Sequence, residues 1–227
     1  MWRQLINMWK RDNLLDEAWK QSFEMLDITH EMFLEAVRVL RESEDKKVKN
    51  FIWDKDRIVN KYLQEVRRKV LTHCALQGPE ELPGSLVLVS IVIDIERLGD
   101  YTKNIVELVS YRPETLGGYK YEKKLKSIED AVKDNFVKTK SCIKASDKAK
   151  ALALLDEYDW VNPLCDKILK RIVKEKDKQI NSGDAASLAL YFRWLKRINA
   201  HLRNVTTGVA NPFDRIGFQP KNPSEDI

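Results

Sequence analysis

Glu96, Asp100 and Asn104 stand at i, i+4 and i+8 within Asp94-Ile-Glu-Arg-Leu-Gly-Asp100-Tyr-Thr-Lys-Asn104. On a helix this spacing lines two carboxylates and an amide along successive turns of one face. Such a stripe is built to meet cations. A second acidic stretch precedes it, in which Asp56 and Asn60 are again i and i+4, with Asp54 just upstream. If the two segments form antiparallel neighbouring helices, as the short turn between them implies, these groups face one another. Oxygen ligands from two helices suit a hard cation such as Mg²⁺, Ca²⁺, Mn²⁺ or iron, and no His or Cys joins the stripe to favour a softer metal. The same spacing also suits a solvated helix face salt-bridged to neighbouring lysines, which is common in helices rich in Lys and Glu.

The stripe has a worn copy one hundred residues later, from Leu195 to Asn204. Arg197 stands opposite Arg97 and Asn204 opposite Asn104, but Lys196 replaces Glu96 and Ala200 replaces Asp100. Upstream, the segment from Val59 to Leu71 parallels that from Val161 to Val173 at an offset of 102, which sets Tyr158 and Asn162 against Asp56 and Asn60. The chain therefore reads as a duplicated module in which one copy keeps its acidic site. A lysine at 196 repels a cation, so the second site is expected to be empty. Pro163 after Asn162 suggests a helix starting there with Asn162 as its cap.

The elements that must carry these residues are helical. Hydrophobic residues make up 43% and charged residues 33% of the 227, with 8 Gly and 7 Pro, a composition that favours long amphipathic helices over a turn-rich β fold. The periodicity predicts helices over 14–41, 44–76 with a break near Asp54, and 85–111. It predicts them again over 119–144, 146–180 with a break near Pro163, and 184–209, with Ser43 as a cap. The expected fold is all-α, two pseudo-symmetric three-helix bundles. The expected divisions are an amphipathic segment 1–11, a first repeat 12–112, a second repeat 119–210 and an irregular tail 211–227, in which Phe213, Ile216 and Phe218 offer apolar anchors.

The 40 basic and 35 acidic residues are interspersed and leave +5, which argues only weakly for nucleic acid. Cys74, Cys142 and Cys165 form no C-x-x-C pair and suit a reducing compartment as buried small hydrophobes. No signal peptide is visible, and the longest apolar run, 86–93, is far short of a membrane span, so the expected location is cytoplasmic. In the first eleven residues Trp2, Leu5, Ile6 and Trp9 share a helical face flanked by Arg3, Lys10 and Arg11. That face suits a membrane interface or a groove on a partner, with Trp2, Ile6 and Trp9 as anchors, or simply caps the end of the bundle. His30, His73 and His201 have no metal-motif context, and no phosphate loop or nucleophile motif appears. The six tryptophans fit a core better than a platform for bases.

The segment Glu96-Arg-Leu-Gly-Asp-Tyr-Thr-Lys-Asn-Ile105 resembles the E/D-x-x-x-D signature of the PhoU phosphate-uptake regulators. Asp56-x-x-x-Asn60 followed by Glu65-Val-Arg-Arg-Lys-Val-Leu71 is similar to the second-helix segment of that family. The resemblance spans about residues 14–209 and is strong in the first half. It implies a regulatory, non-enzymatic role and a metal cluster on the acidic face. By position, Glu96, Asp100, Asp56 and Asn60 would be the metal residues, for a divalent or trivalent ion among iron, zinc, manganese, magnesium and calcium. It further implies a cytoplasmic adaptor whose partner is a phosphate transporter component or signalling protein, with homo-oligomer formation and contact at the inner face of the membrane both open. Two other classes remain beside it, a metal-dependent hydrolase using the same face and a nucleic-acid-binding helical protein.

Overall fold

The computed structural model describes residues 14–42, 47–112, 114–174 and 179–220. Among these, every regular element is helical. The first repeat is α1 (Leu14–Glu42), α2 (Val48–Gln77) and α3 (Leu82–Tyr111); the second is α4 (Glu122–Ala145), α5 (Lys148–Glu157), α6 (Val161–Val173) and α7 (Ser182–Ala210). Single 3-10 turns at Pro79–Glu81, Tyr119–Tyr121 and Phe213–Arg215 lead into α3, into α4 and away from α7.

The local chemistry accounts for the helix ends. Asp147 and Asn181 cap α5 and α7 by accepting from the backbone N–H groups of Lys150 and Asp184. Pro83 lies in the first turn of α3, where its missing N–H costs nothing, so the β-branched run that follows is carried as helix. α2 passes through Asp54 without a break. The break expected at Pro163 falls upstream instead, at 158–160. Proline cannot donate to the carbonyl four residues back, here Asp159, and its ring crowds that carbonyl. The chain therefore stops before Asp159 and restarts at Val161, placing Pro163 in the first turn of α6. Asn162 is not a cap, since its side chain accepts from Asn199 on α7.

The duplication is written in the burial pattern. Met25, Met32, Phe33 and Leu40 of α1 recur as buried Ile128, Asn135, Phe136 and Ile143 of α4, each 103 residues on. Leu88, Ile91, Val92, Ile95, Leu98 and Ile105 of α3 recur at an offset of 100 as Leu188, Tyr191, Phe192, Leu195, Ile198 and Val205. In the middle helix the offset is 102 and survives the break: Ile52, Asp56, Val59, Val66 and Val70 against Leu154, Tyr158, Val161, Ile168 and Ile172.

Each repeat is a bundle, and the bundles meet along α3 and α7, with α1 against α4 beside them. The helices of that seam run antiparallel and approach closely at Gly208, where an added Cβ would lie 2.9 Å from Ile91 Cγ2. The inter-repeat linker is tied to both bundles. Leu116 N–H donates to Leu40 O, Arg41 reaches Leu116 O and Glu122, and Arg112 pairs with Asp184 at 2.5 Å while Tyr119 donates to the same carboxylate. The described part of the tail, residues 211–220, folds back, with Gly217 N–H on Thr207 Oγ1 and Asn211 donating to Arg215 O and Phe218 O. Residues 1–13 with Trp2, Ile6 and Trp9, and Ser43, lie outside the described residues.

Candidate functional site

α2 and α3 lie antiparallel and bring the expected acidic residues to one seam. Asp56 is a core-facing position of α2, only 8% exposed. It points under Gly99, where an added Cβ would be 3.7 Å from Asp56 Oδ1. Asp56 Oδ2 accepts from Asn60 Nδ2 at 3.0 Å. Across the seam, Lys103 Nζ lies 2.9 Å from Asp56 Oδ2 and 2.9 Å from Asp100 Oδ1. The other oxygen of Asp100 takes Arg97 at 2.9 Å, and Arg97 Nε stands 3.8 Å from Glu96. Asp56 and Asp100 are thus drawn together around one ammonium, with Asn60 bonded to Asp56 and Glu96 at the edge.

The electrostatics follow from that grouping. Burial raises the Glu96 carboxyl above its usual range, and Asp100 and Asp56 push the same way against Arg97 and Lys103. Burial alone lowers the Lys103 ammonium, but its bonds to Asp100 and Asp56 outweigh this and hold it above its ordinary value. Lys103 is therefore a charged bridge. Beside it a groove of about 440 Å³ runs past Trp53, Arg97, Tyr101 and Glu107.

The metal implied by the resemblance does not fit this donor set as it stands. Asp56 Oδ2 and both oxygens of Asp100 already accept from Lys103, Asn60 or Arg97. The remaining aspartate oxygen, Asp56 Oδ1, is buried without a partner beneath Gly99. Among the described residues no three His, Cys, Asp or Glu side chains converge as metal ligands. The arrangement instead realises the other reading of the spacing, a helix face salt-bridged to its own cations. Sequence reasoning missed Lys103 and Arg97 as members of the site. Both are three residues from Asp100 on the same helix, the i,i+3 spacing at which side chains meet.

In the second repeat Lys196 Nζ pairs with Asp166 on α6 at 2.6 Å, and Tyr158, in the place of Asp56, donates to Asp134 on α4 at 2.5 Å. Asn199, in the place of Gly99, fills the interior with amide bonds to Asn135 at 2.9 Å and Asn162 at 3.1 Å. The four positions that match Asp56, Asn60, Glu96 and Asp100 hold Tyr158, Asn162, Lys196 and Ala200, none of them a carboxylate. Of the histidines, His30 stacks on Phe136, His73 lies by Glu81, and His201 bridges the repeats. The cysteines are unpaired, with Cys142 and Cys165 buried. No described helix is long and apolar enough to cross a membrane.

Comparison with known proteins agrees with this architecture. Residues 23–109 match the PhoU domain model. A relative from Clostridium acetobutylicum, the phosphate-specific transport system accessory protein PhoU homolog, is 27% identical over 204 residues, covering 84% of this chain and 88% of the relative. The crystal structure of the phosphate transport system regulatory protein PhoU from Streptococcus pneumoniae superposes with a TM-score of 0.77 at 18% identity, over 88% of this chain and 94% of that one. That of PhoU from Pseudomonas aeruginosa gives 0.76 at 18% identity, over 87% and 96%. The match to the PhoU domain covers the helices that carry Asp56, Asn60, Glu96 and Asp100, and the likeness in fold to the two crystal structures extends through the second repeat.

Proposed function

We propose that this chain is a cytoplasmic adaptor that regulates phosphate transport or phosphate signalling through protein contact rather than catalysis. The observation that carries the reading is the PhoU-domain match over 23–109, joined to a relative named as a phosphate transport accessory protein across most of both chains. The site agrees with it. The carboxylates of the α2/α3 face are spent on ion pairs that lock two helices, which leaves a rigid, charge-patterned groove for a partner. The partner class is a transporter component or the signalling protein that reads its state.

A metal enters this reading at one remove. A divalent or trivalent cation on Glu96, Asp100 and Asp56 has to displace the Lys103 ammonium first, because the two compete for the same oxygens. Contact of Trp2, Ile6 and Trp9 with a membrane or a membrane-bound partner belongs to the proposal as well, and co-sedimentation of the full chain with anionic vesicles, with and without residues 1–11, tests it.

The function is tested in the source cell. Deleting the gene should uncouple phosphate uptake, or phosphate-dependent gene expression, from external phosphate, and the wild-type chain should restore the coupling. Unchanged uptake and expression at both low and high phosphate would reject the reading.

A further inference from the structure

We infer that Lys103 is the built-in cation of the first repeat's acidic face, standing where a metal would otherwise join the second and third helices. The inference concerns the site named in the proposed function but rests on the geometry of that site, so the two fail separately.

Three observations carry it. Asp56 is a carboxylate in a core-facing position, and a buried charge has to be paired. Lys103 supplies the pairing from the neighbouring helix, with its ammonium equidistant, at 2.9 Å, from one oxygen of Asp56 and one of Asp100. A point between two carboxylates on adjacent helices is where a bridging ion sits, and an ammonium there excludes it by volume and by charge. Lys103 is itself only 22% exposed along its side chain and stands within the seam rather than over it.

The second repeat solves the same problem by the same means at another level. Lys196 on α7 grips both oxygens of Asp166 on α6, at 2.7 and 2.6 Å. Each repeat thus joins its second and third helices by a lysine reaching from the third to an aspartate on the second. In both junctions the chain's own ammonium stands between the helices.

The test uses the full-length chain, with Mn²⁺ as the probe. Wild-type protein should show the same melting temperature before and after exhaustive chelation and should bind Mn²⁺ weakly in calorimetry. Lys103→Met keeps the length of the side chain and removes its charge. It should bind Mn²⁺ on the order of 10-fold more tightly or better than wild type, since a positive charge between the ligands is gone. Its melting temperature should rise with Mn²⁺ concentration. Lys103→Arg, which keeps the charge, should behave as wild type. A metal retained at one equivalent through purification, whose removal lowers the wild-type melting temperature, would overturn the inference. So would a Lys103→Met protein that binds Mn²⁺ no better than wild type. The chelation result stands on wild type alone and does not depend on how well the variant folds. Loss of phosphate control in the gene deletion bears on the adaptor reading and leaves this one untouched.

Discussion

Asp94 on α3 and His201 on α7 meet across the seam between the repeats, Oδ1 to Nδ1 at 2.6 Å. The carboxylate accepts, which sets the ring proton on Nδ1 and turns Nε2 toward Arg197 at 3.4 Å. Asn204 Nδ2 donates to the same Asp94 oxygen at 3.0 Å, and Arg197 reaches back to Tyr101 OH at 3.1 Å. Tyr101 and His201 occupy the same place in the two repeats, and their rings stack on each other at 5.5 Å. The join therefore lies at the pseudo-twofold, but the contacts are not symmetric, because Trp194 stands where the second copy would have its aspartate.

That network should couple the repeats energetically. Asp94→Ala and His201→Ala are each expected to cost about 1.5–3 kcal/mol, the range for hydrogen bonds to a charged group. A double-mutant cycle by urea denaturation should return a coupling of about 0.5 kcal/mol or more. Strictly additive losses would mean that the two side chains act independently.

Glu96 makes a pH-dependent prediction. Its folded-state pKa is raised from 4.5, chiefly by burial and next by Asp100. A raised carboxyl contributes stability that is fully present below pH 4.5 and is lost as pH rises through the folded value. At neutral pH the ionised side chain is thus a net cost, which a neutral amide of the same shape avoids. Glu96→Gln should melt above wild type at pH 7, and the gap should close as pH falls toward 4.5. A gap that widens toward acid would contradict the assignment.

Much of this fold is legible in the sequence because helical burial leaves a period. The residues that repeat at offsets of 103, 102 and 100 are buried in both bundles, so the sequence match and the burial pattern are one fact. The break in the middle helix was visible through Pro163, but its place was not, because proline disrupts the carbonyl four residues before it and the chain stops there. The acidic face was legible as a set, since Asp56, Asn60 and Asp100 do gather at one seam. What fills it was not, because a lysine three residues from an aspartate reads equally as a solvated side chain until the facing helix supplies Asp56. Asn199 shows the converse: the place of Gly99 holds an amide, and only the positions of Asn135 and Asn162 explain how it is satisfied there.

Packing predicts unequal costs for two apolar residues with similar sequence context. Ile105 is fully buried on α3, whereas Leu63 on α2 is partly open to solvent. Ile105→Ala should cost about 2–4 kcal/mol, the transfer term plus an unrelaxed cavity. Leu63→Ala should cost less, because less surface returns to water and no closed cavity forms. Equal losses in chemical denaturation would place Leu63 in the core as well.

Two helical glycines should respond to alanine with opposite signs. At Gly99 an added methyl meets Met32 Cε and Thr29 Cγ2 at 3.6 Å and Asp56 Oδ1 at 3.7 Å, all ordinary contact distances. The site has room, so Gly99→Ala should gain most of the helix-propensity difference, about 0.5–1 kcal/mol. At Gly208 the same methyl falls 2.9 Å from Ile91 Cγ2 and 3.4 Å from Val87 Cγ1 on the facing helix. Ile91 is β-branched and 1% exposed, so it cannot turn aside, and the seam between α3 and α7 has to open instead. Gly208→Ala should therefore lose about 1–3 kcal/mol despite the better helix former. Thermal melts of the two variants beside wild type decide the matter: Gly99→Ala above it and Gly208→Ala below it is the expected order, and the reverse order would mean that the close approach of the repeats at Gly208 does not exist in solution.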